Sequence, residues 1–588
     1  MFLKCSERRK NGKVHRSWSV VESRRFRGGK VAQQHVLYLG ELNDSQQRAW
    51  ERSLLVFDEH AGEHRQLALF PADRPVPETD TATMQVRLDE LRLENPRPWG
   101  ACWLGDHLWR TLELDDFFGA RLPVSREDTD WEKVLRILVL YRLIAPGSEW
   151  RLHRHWFSTT ALADLLGVDA RAAQDDTLYR CHDHVLALKE DLFGHLRQRW
   201  SDLFGVRYNV VLYDLTSTYF ECDVPANEDD PRRFGYSRDK RSDCVQVVVA
   251  LVVTPEGLPL AYEMFPGNTA DKTTLRAMLA KIRARFGAAE RIWVMDRGVP
   301  TEEILTELRR QDSGVRYLVG TPKGRLTRFE AELAGLPWRE VHEKLRVKLL
   351  SCDGEVYVLA HSEARVDKER GMRRRALKKY WQRLGALAAL KTTPTRDELL
   401  IKIGQATAQA GAAARLVQVE VSPAGILTYR LLRDKLRAVL RREGRYLLRT
   451  NLDADDPELI WRCYMQLVLV EEAFRTLKGD LALRPIYHSN PERIEAHLFI
   501  AFLAYCLAIT LRQQLRKVAH GLMPRVVLEK FATLQMLDVS VPTTDGRELL
   551  LIRRTEPNRE VALLLHQLGL ELPQQPPPKI RAPKTGVL

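Results

Sequence analysis

Two aspartates each follow a short apolar segment that is typical of a β-strand. Asp214 ends the segment YNVVLYD (208–214), and Asp296 ends the segment RIWVMD (291–296). In α/β sheets, functional side chains are commonly presented at the carboxyl ends of strands. If the two strands lie side by side, their carboxylates can share divalent cations such as Mg²⁺, which prefers hard oxygen ligands. Either aspartate could instead only cap a turn.

A third carboxylate, Glu471, lies in a segment with helical periodicity. At 100° per residue, Glu471 shares one face with a phenol and two cations, beside an apolar stripe. The face carries Tyr464, Arg475 and Lys478, and the stripe carries Leu467, Val470, Phe474, Leu477 and Leu481. The carboxylate can complete a metal site, and the phenol and cations can contact phosphates. The spacing also fits an exposed ion pair between Glu471 and Arg475, and Glu472 is a competing carboxylate.

The elements that must position these residues form an α/β pattern. Residues 208–320 predict three strands, a helix, a strand, a helix and a strand, which together make an α/β sheet layer. From Asp296 to Glu471 there are 471 − 296 = 175 residues. That separation is too long for a connecting loop in a compact domain, so it predicts an inserted domain.

Composition favours a large globular protein with an anionic partner. The chain has 588 residues, which predicts two to four structural units. It carries 91 Lys and Arg against 78 Asp and Glu, giving a net charge of +13. A basic excess of this kind indicates nucleic acid as the first candidate partner, although a basic protein without such a partner fits the same numbers.

Neither a zinc finger nor a secreted or membrane-spanning protein is predicted. None of the eight cysteines forms a CxxC pair, so a zinc ribbon or finger is not expected. The N-terminal residues MFLKCSERRK lack the apolar core of a secretory signal. The longest apolar run, 498–511, is too short to cross a bilayer as a helix, and it predicts a buried core helix.

Three further segments have a distinctive composition. Residues 1–30 carry ten Lys and Arg against two Glu, in a pattern of strand, glycine turn and strand. Residues 83–200 have helical periodicity, and the stretch near Arg151 and His155 could contact DNA or simply pack. The stretch 365–383 has nine Lys and Arg against two acids. The proline-rich, basic tail from residue 574 is predicted to be disordered.

Several motifs together resemble one known family. They are YDLTSTYFE (213–221), GYSRDKRSDCVQVVVAL (235–251), FPGNTADKTTL (265–275), VMDRG (294–298) and YMQLVLVEEAFRTLKGDLALRPIYH (464–488). As a set they resemble the DDE transposases of bacterial insertion sequences, in the branch with a Y-x2-R-x3-E-x6-K signature. Here the signature positions are Tyr464, Leu467, Glu471 and Lys478. Leucine replaces the arginine of the family, and Arg475 is one possible substitute for its phosphate contact.

This resemblance implies a fold and a division into domains. The implied fold class is α/β, with a ribonuclease-H-like catalytic core, a mixed sheet flanked by helices, that is interrupted by a β-rich insertion domain. The expected order is a small basic β-rich element (1–75), a helical DNA-binding domain (76–204), the first part of the core (205–322), the insertion domain with its basic helix (323–449), the second part of the core (450–520), and a C-terminal helical region with a disordered basic tail (521–588).

The resemblance also implies a chemistry. Asp214, Asp296 and Glu471 would be the catalytic residues and would hold two Mg²⁺ (or Mn²⁺) ions for in-line phosphoryl transfer. The same site would cleave DNA strands at the ends of an insertion sequence and join them to target DNA. The residues expected to contact DNA are Tyr464, Lys478, Arg475, Arg297, Arg373, Arg374 and Arg375.

The implied partners are double-stranded DNA, as terminal inverted repeats and as target, and a second copy in a dimeric DNA complex. No membrane is expected, and the location would be the bacterial cytoplasm. The alternatives are a metal-dependent DNA nuclease, or a domesticated, non-transposing DNA-binding relative. The chain lacks the GxSxG motif of serine hydrolases and the GxxxxGK[ST] phosphate loop.

Overall fold

A computed structural model provides the coordinates of the chain. It describes residues 2–10, 13–25, 31–40, 53–58, 62–71, 83–124, 129–206, 208–239, 241–286, 291–296, 300–310, 315–321, 329, 332–333, 335–342, 345–390, 395–423, 425–452 and 457–582. The chain separates into two compact units. Unit 1 comprises Met1–Leu188, Asp480–Ala482 and Ala496–Leu588, and unit 2 comprises Lys189–Gly479 and Leu483–Glu495.

The strands are numbered in chain order. They are β1 Phe2–Lys10, β2 Lys13–Arg25, β3 Val31–Gly40, β4 Ser53–Asp58, β5 Glu63–Pro71, β6 Thr83–Val86, β7 Arg92–Pro98, β8 Val210–Phe220, β9 Val245–Val253, β10 Pro259–Pro266, β11 Ile292–Met295, β12 Arg316–Thr321, β13 Arg339–His342, β14 Leu345–Cys352, β15 Glu355–Ser362, β16 Val417–Val421, β17 Leu427–Leu431, β18 Arg445–Thr450, β19 Gln535–Pro542, β20 Glu548–Arg554 and β21 Lys579–Arg581.

The α-helices are numbered in the same way. They are α1 Gly100–Thr111, α2 Leu114–Gly119, α3 Trp131–Ile144, α4 Glu149–Arg151, α5 Phe157–Thr159, α6 Leu162–Leu166, α7 Asp175–Val185, α8 Lys189–Phe204, α9 Asp271–Phe286, α10 Glu302–Arg309, α11 Glu363–Ala388, α12 Arg396–Ala410, α13 Arg433–Arg442, α14 Pro457–Met465, α15 Leu467–Arg475, α16 Pro491–Val518, α17 Pro524–Phe531 and α18 Arg559–Leu568. Two π-helical turns, Leu152–Trp156 and Thr476–Asp480, continue α4 and α15.

Unit 1 combines two sheets with a helical core. Strands β1, β2 and β3 form an antiparallel sheet, and a second sheet has the order β6-β5-β4-β21-β20-β19-β7. Helices α1 and α3 are buried around most of their circumference, and their buried residues include Trp103, Trp109, Trp131 and Tyr141. Within this helical core, Trp109 donates to Glu132 over 2.8 Å, and Glu132 accepts from Arg136. Buried charge in this core is therefore paired, as burial requires.

The apolar run 498–511 lies within α16, as a buried core helix. The helix has 28 residues, which by length and composition is enough to cross a membrane. However, 94% of its most apolar window is buried inside the protein. The prediction of a core helix is confirmed, and the burial explains why its sequence is so apolar.

Unit 2 is built on one mixed sheet with the order β10-β9-β8-β11-β12-β18-β15-β14-β13. Strands β8, β9 and β10 are antiparallel neighbours, whereas β11 pairs in parallel with both β8 and β12. Every residue of β9 is buried. A strand that is apolar on both faces must be covered on both sides, and α15 packs against β8 and β9.

The long segment between Asp296 and Glu471 extends this sheet as well as adding helices. Strands β13, β14 and β15 continue it at the edge, and β18 lies between β12 and β15. The basic stretch 365–383 lies in α11, which packs with α12 against the separate hairpin of β16 and β17. The segment predicted as a β-rich insertion is thus mixed α/β, and its strands join the sheet that carries the aspartates through the pairing of β18 with β12.

The ends of the chain differ in part from the sequence expectations. The predicted strand, turn and strand near the N-terminus correspond to β2 and β3, whereas the glycines between them lie outside the described residues. Within the tail predicted to be disordered, Lys579–Arg581 forms β21, which pairs with β20 and with β4. A short apolar anchor, Ile580, is buried there and stabilises a segment that is otherwise polar and proline-rich.

Gly267 allows the loop before β9 to cross β10 closely. A Cβ at this position would lie 2.0 Å from the Gln246 carbonyl oxygen and 2.3 Å from that of Arg233. We expect Gly267→Ala to lower the free energy of unfolding by about 1–3 kcal/mol, because backbone must move. The matched control is Gly194→Ala in α8, where nothing lies within 4 Å of the added carbon. Denaturant unfolding that ranks the two variants equally would contradict this packing.

Candidate active site

The parallel pairing of β8 with β11 brings Asp214 and Asp296 side by side. Tyr213 of β8 is opposite Met295 of β11, so the next two residues along the strands are the aspartates. Paired residues of neighbouring strands point to the same face and lie about 4.8 Å apart. Asp214 does not end its strand as predicted, because β8 continues to Phe220 along β9. It lies where the pairing with β11 ends, and that end carries both carboxylates.

Glu471 reaches the site from α15. This helix packs against β8 and β9 with Val470, Ala473 and Phe474 buried, while Glu471 is exposed. The predicted apolar stripe is confirmed at Val470, Phe474, Leu477 and Leu481, and the side chain of Leu467 lies outside the described part. The stripe fixes which face of the helix meets the sheet, and so directs the neighbouring carboxylate.

The helix is not continuous from Tyr464 to Lys478, as a simple helical wheel assumes. It is divided into α14 and α15 at Gln466, where the amide of Leu469 donates to the Gln466 carbonyl over 2.8 Å. Past Arg475 the chain widens into a π-helical turn that carries Lys478. Each break rotates the following residues, because 3₁₀ and π turns do not advance by 100° per residue.

The charges of Asp296 and Glu471 both act on the pKa of Asp214. The pKa of Asp214 is raised to about 7, mainly by burial and in smaller part by the charges of Asp296 and Glu471, while the Leu215 backbone hydrogen bond and the charge of Arg238 oppose the rise. Like charges close together disfavour the ionised form. Among the described residues, the three carboxylates are not all within 4.8 Å of one another. The three carboxylates are therefore not tightly clustered, and Asp214 is the one whose pKa is affected by the charges of both others.

Cations line the same part of unit 2. The Lys478 ammonium donates to both carboxylate oxygens of Asp239 at 3.0 Å, and Arg484 approaches the same carboxylate at 3.3 Å. Burial lowers the pKa of Lys478, while the hydrogen bond to Asp239 opposes that shift. Arg484 and Arg241 both lie over the Tyr219 ring on β8, at 4.6 and 4.7 Å from its centroid.

Sequence reasoning missed three of these cations: Arg238, Arg241 and Arg484. Arg238 donates to both oxygens of Asp271 at 2.9 Å and acts electrostatically on Asp214. The density of basic residues in 235–251 was a signal for the first two. It could not identify them individually, because an irregular loop has no periodicity that tells which side chains turn inward.

The other predicted contacts lie in different surroundings. The Tyr464 ring packs with Tyr446 and Trp461, at centroid distances of 5.9 and 6.1 Å. Arg475 is 74% exposed and pairs with Glu472 at 3.4 Å instead of with Glu471. Arg297 lies outside the described residues. Packing therefore holds Tyr464, whereas an exposed ion pair such as that of Arg475 is weak and leaves the guanidinium accessible.

The three arginines of α11 divide into two kinds. Arg373 is mostly buried and forms an ion pair with Glu443. Arg374 and Arg375 are exposed, and Arg375 donates to the carbonyl of Gly371 over 3.3 Å. The basic stretch of the sequence thus contains both a structural cation and solvent-facing cations.

The donor set fits a hard divalent cation. All three candidate ligands are carboxylates, and carboxylate oxygen is the ligand type preferred by Mg²⁺ and Mn²⁺. Burial and, in smaller part, the negative charges of Asp296 and Glu471 raise the pKa of Asp214, and a bound cation would oppose both effects. The residues present are therefore suited to bind divalent metal.

Replacing Asp214 by asparagine should change the pH dependence of stability. The unfolded side chain loses its proton near pH 4, whereas the folded one keeps it up to about pH 7. The free energy of unfolding of the unsubstituted protein should therefore fall between these values. Asp214→Asn removes this fall and should be the more stable protein above pH 7, by at most about 4 kcal/mol.

Urea unfolding from pH 4 to pH 8, with a chelator present, measures this difference. The matched control is Asp223→Asn, because Asp223 is an exposed aspartate of the same unit. Parallel stability profiles for the protein with and without Asp214 would show that this carboxyl titrates normally.

Comparisons with known proteins identify the family. The family model described as "Transposase DDE domain" matches residues 208–507, and the model "IS1634 family transposase, N-terminal domain" matches residues 3–63. A search of curated proteins gave no match.

Among solved structures, the chain is similar to the "piggyBac transposase synaptic complex with hairpin DNA", with 12% identity and a TM-score of 0.35. That match covers 75% of this chain and 82% of the other. The transposase family model covers just over half of the chain and includes all three candidate acidic residues. The chain therefore belongs to the DDE transposase family of insertion sequences, and it is a DNA-cleaving and strand-transferring enzyme.

Proposed function

We propose that Asp214, Asp296 and Glu471 are the catalytic acidic residues of this transposase. The observation that carries the proposal is the position of Asp214. It is next in register to Asp296 across two parallel strands, and burial, together with the charges of both Asp296 and Glu471, raises its pKa. Perturbed carboxyls that converge from distant parts of a chain are typical of functional sites.

The core that carries them is proposed to be ribonuclease-H-like. The family resemblance implies one acidic residue on the first core strand, one on the fourth and one on a late helix. With β8 as the first core strand, β11 is the fourth, and the order β10-β9-β8-β11-β12 supports this assignment. The helix that carries Glu471 packs against β8 and β9, which agrees with the third position.

The three carboxylates would hold two Mg²⁺ or Mn²⁺ ions. When bound, such ions activate the attacking oxygen and stabilise the leaving oxygen of an in-line phosphoryl transfer. Asp214 is the residue best placed to bind both ions, because the charges of both other carboxylates act on it. With its proton lost, Asp214 is an oxygen ligand with two lone-pair-bearing atoms.

The cations beside the carboxylates would position the DNA phosphates. Lys478 and Arg484 are held in place through Asp239, so their side chains lose little entropy when they bind phosphate. Arg238 supplies further positive charge close to Asp214. Arg475 and Tyr464 stay predicted DNA contacts, and an accessible Arg475 could replace the arginine absent at Leu467.

The assembly is proposed from the resemblance. The substrates would be double-stranded terminal inverted repeats and target DNA, held by a dimer in the bacterial cytoplasm. The proposed domain roles keep the expected boundaries, with 76–204 as the helical DNA-binding part. The exposed aromatic side chain of Trp150 and the basic residues after it support DNA contact in this part.

Replacement of Asp214 by asparagine should abolish strand cleavage while leaving binding of the element ends intact. We expect a loss of at least about 100-fold in the cleavage rate, because a metal ligand contributes more than the groups that only orient ligands. Asp223→Asn is the control. Cleavage of labelled end DNA and a gel-shift assay in calcium measure the two properties.

Retained cleavage by Asp214→Asn would refute its metal role. Cleavage without joining by the unsubstituted protein would favour the nuclease alternative, and strand-joining assays with supercoiled target DNA separate the two.

Glu471→Gln and Glu472→Gln form a further pair of variants, because only Glu471→Gln should lose activity if Glu471 is the catalytic carboxylate of α15.

Neutralising Arg374 and Arg375 together to glutamine should weaken DNA binding mainly at low salt. Each lost phosphate contact lowers the slope of log K against log[salt] by about 0.9, so the double variant should lose about 2 from the slope. Arg373→Gln is the matched control, because Arg373 is engaged with Glu443. An unchanged slope in the double variant, measured by fluorescence anisotropy, would remove α11 from the DNA-binding surface.

A further inference from the structure

Unit 1 contains a second group of possible metal ligands, which the catalytic mechanism does not use. Its members are Glu149, His182 and His497, and they are 4%, 1% and 2% exposed. They come from three different helices, α4, α7 and α16. One donor atom from each lies within 4.8 Å of the others. We call this group the histidine–glutamate cluster.

The distances within the cluster fit a tetrahedral ion. Glu149 Oε1 is 3.6 Å from His182 Nε2 and 3.5 Å from His497 Nδ1. Zinc binds imidazole nitrogen and carboxylate oxygen at about 2.0–2.1 Å, so tetrahedral geometry places two such donors about 3.4 Å apart. The observed spacing requires a contraction of only one or two tenths of an ångström at each of these two pairs, and the two imidazole donors lie within 4.8 Å of each other.

The tautomer of His182 points to the same conclusion. His182 Nδ1 lies 2.9 Å from the Leu178 carbonyl oxygen, and since a carbonyl only accepts, Nδ1 must carry the proton. When the ring is neutral, the lone pair of Nε2 is therefore directed at the carboxylate of Glu149. Two electron-rich atoms repel each other unless a proton or a metal ion lies between them. A backbone carbonyl that accepts from the second ring nitrogen is the usual support of a metal-binding histidine.

The carboxylate is also held in position. Arg142 Nη2 lies 3.9 Å from Glu149 Oε1, and Arg142 Nη1 donates to the Ala482 carbonyl over 3.0 Å. Ser148 caps the short helix α4 by accepting from the Arg151 amide. The ligand oxygen is thus oriented by neighbours that lie outside the cluster, as ligating carboxylates usually are.

We propose that the histidine–glutamate cluster is a structural Zn²⁺ site. Two imidazoles with one carboxylate are an established set of three protein ligands for zinc, whose fourth position a water molecule can take, and imidazole favours zinc over Mg²⁺, which prefers oxygen alone. The two sites of the protein therefore select different cations. The depth of burial excludes DNA from the cluster, so the ion fastens α16 to α4 and α7 and stabilises the helical part of unit 1.

Zinc content of the purified full-length protein tests the proposal. Asp214→Asn protein serves as the parent, so that the catalytic carboxylates contribute less metal. After gel filtration with a weak chelator, the parent should hold about one zinc ion per chain, and so should the control His155→Gln, which changes an exposed histidine. The double variant His182→Gln, His497→Gln should hold close to none. Zinc retained by the double variant, or absent from the parent, would overturn the proposal.

A cobalt titration of the parent keeps the proposal testable if the double variant does not fold. Four-coordinate Co²⁺ absorbs visible light much more strongly than six-coordinate Co²⁺ in an all-oxygen site, so the cluster and the catalytic carboxylates are distinguishable. We expect an intense visible band that saturates near one equivalent, that Zn²⁺ abolishes and that excess Mg²⁺ does not. Zinc should also raise the melting temperature of metal-stripped protein. Absence of the intense band would show that the cluster is a buried histidine–carboxylate ion pair.

Discussion

The active site depends on one constraint, the parallel hydrogen-bond register between β8 and β11. This register sets Asp214 next to Asp296 on neighbouring strands, where two negative charges repel each other. The pKa of Asp214 is raised to about 7, mainly by burial, and the charges of the other two carboxylates contribute to the rise. The surrounding structure must hold these groups together against that repulsion. Since β9 is buried throughout and α15 covers it, the packing of the sheet supplies the required rigidity.

Three cations near the candidate site of unit 2 form ion pairs with acidic residues other than Asp214, Asp296 and Glu471. Lys478 and Arg484 are paired with Asp239, and Arg238 is paired with Asp271, so none of these three cations is engaged by a carboxylate that we propose to be catalytic. In the proposed function, the acids stay available for divalent cations, while the positive side chains have fixed positions for phosphate groups. A substrate that is itself a polyanion benefits from both features, because binding needs the cations and chemistry needs the acids.

The segment between the second aspartate and the glutamate has a structural role beyond separating them. Strands β13, β14, β15 and β18 extend the sheet from β12 onward. At this junction Arg449 of β18 pairs with Glu355 of β15, and Arg309 of α10 pairs with the same buried carboxylate. A buried carboxylate with two cations is stable only when all partners are present. Ion pairs therefore connect this segment to α10, through Arg309 with Glu355 and through Arg449 with Glu302.

The amino-acid sequence alone determined which residues could do chemistry. Apolar segments that precede Asp214 and Asp296, and the apolar stripe beside Glu471, predicted their placement on two strands and a helix. Those patterns are local consequences of burial on one or both faces of an element, so they can be read without the fold. The motif resemblance added the family, which the comparisons confirmed.

Only the tertiary structure decided how the site is completed. The predicted continuous helix is divided into α14, α15 and a π-helical turn. Tyr464 and Lys478 therefore do not have the positions relative to Glu471 that a rotation of 100° per residue predicts. The tertiary structure also drew in Arg238 and Arg484, ordered Lys579–Arg581 as a strand, and gathered Glu149, His182 and His497 from three helices. These outcomes rest on contacts between residues far apart in the chain, and local periodicity carries no information about which distant partner a side chain will meet.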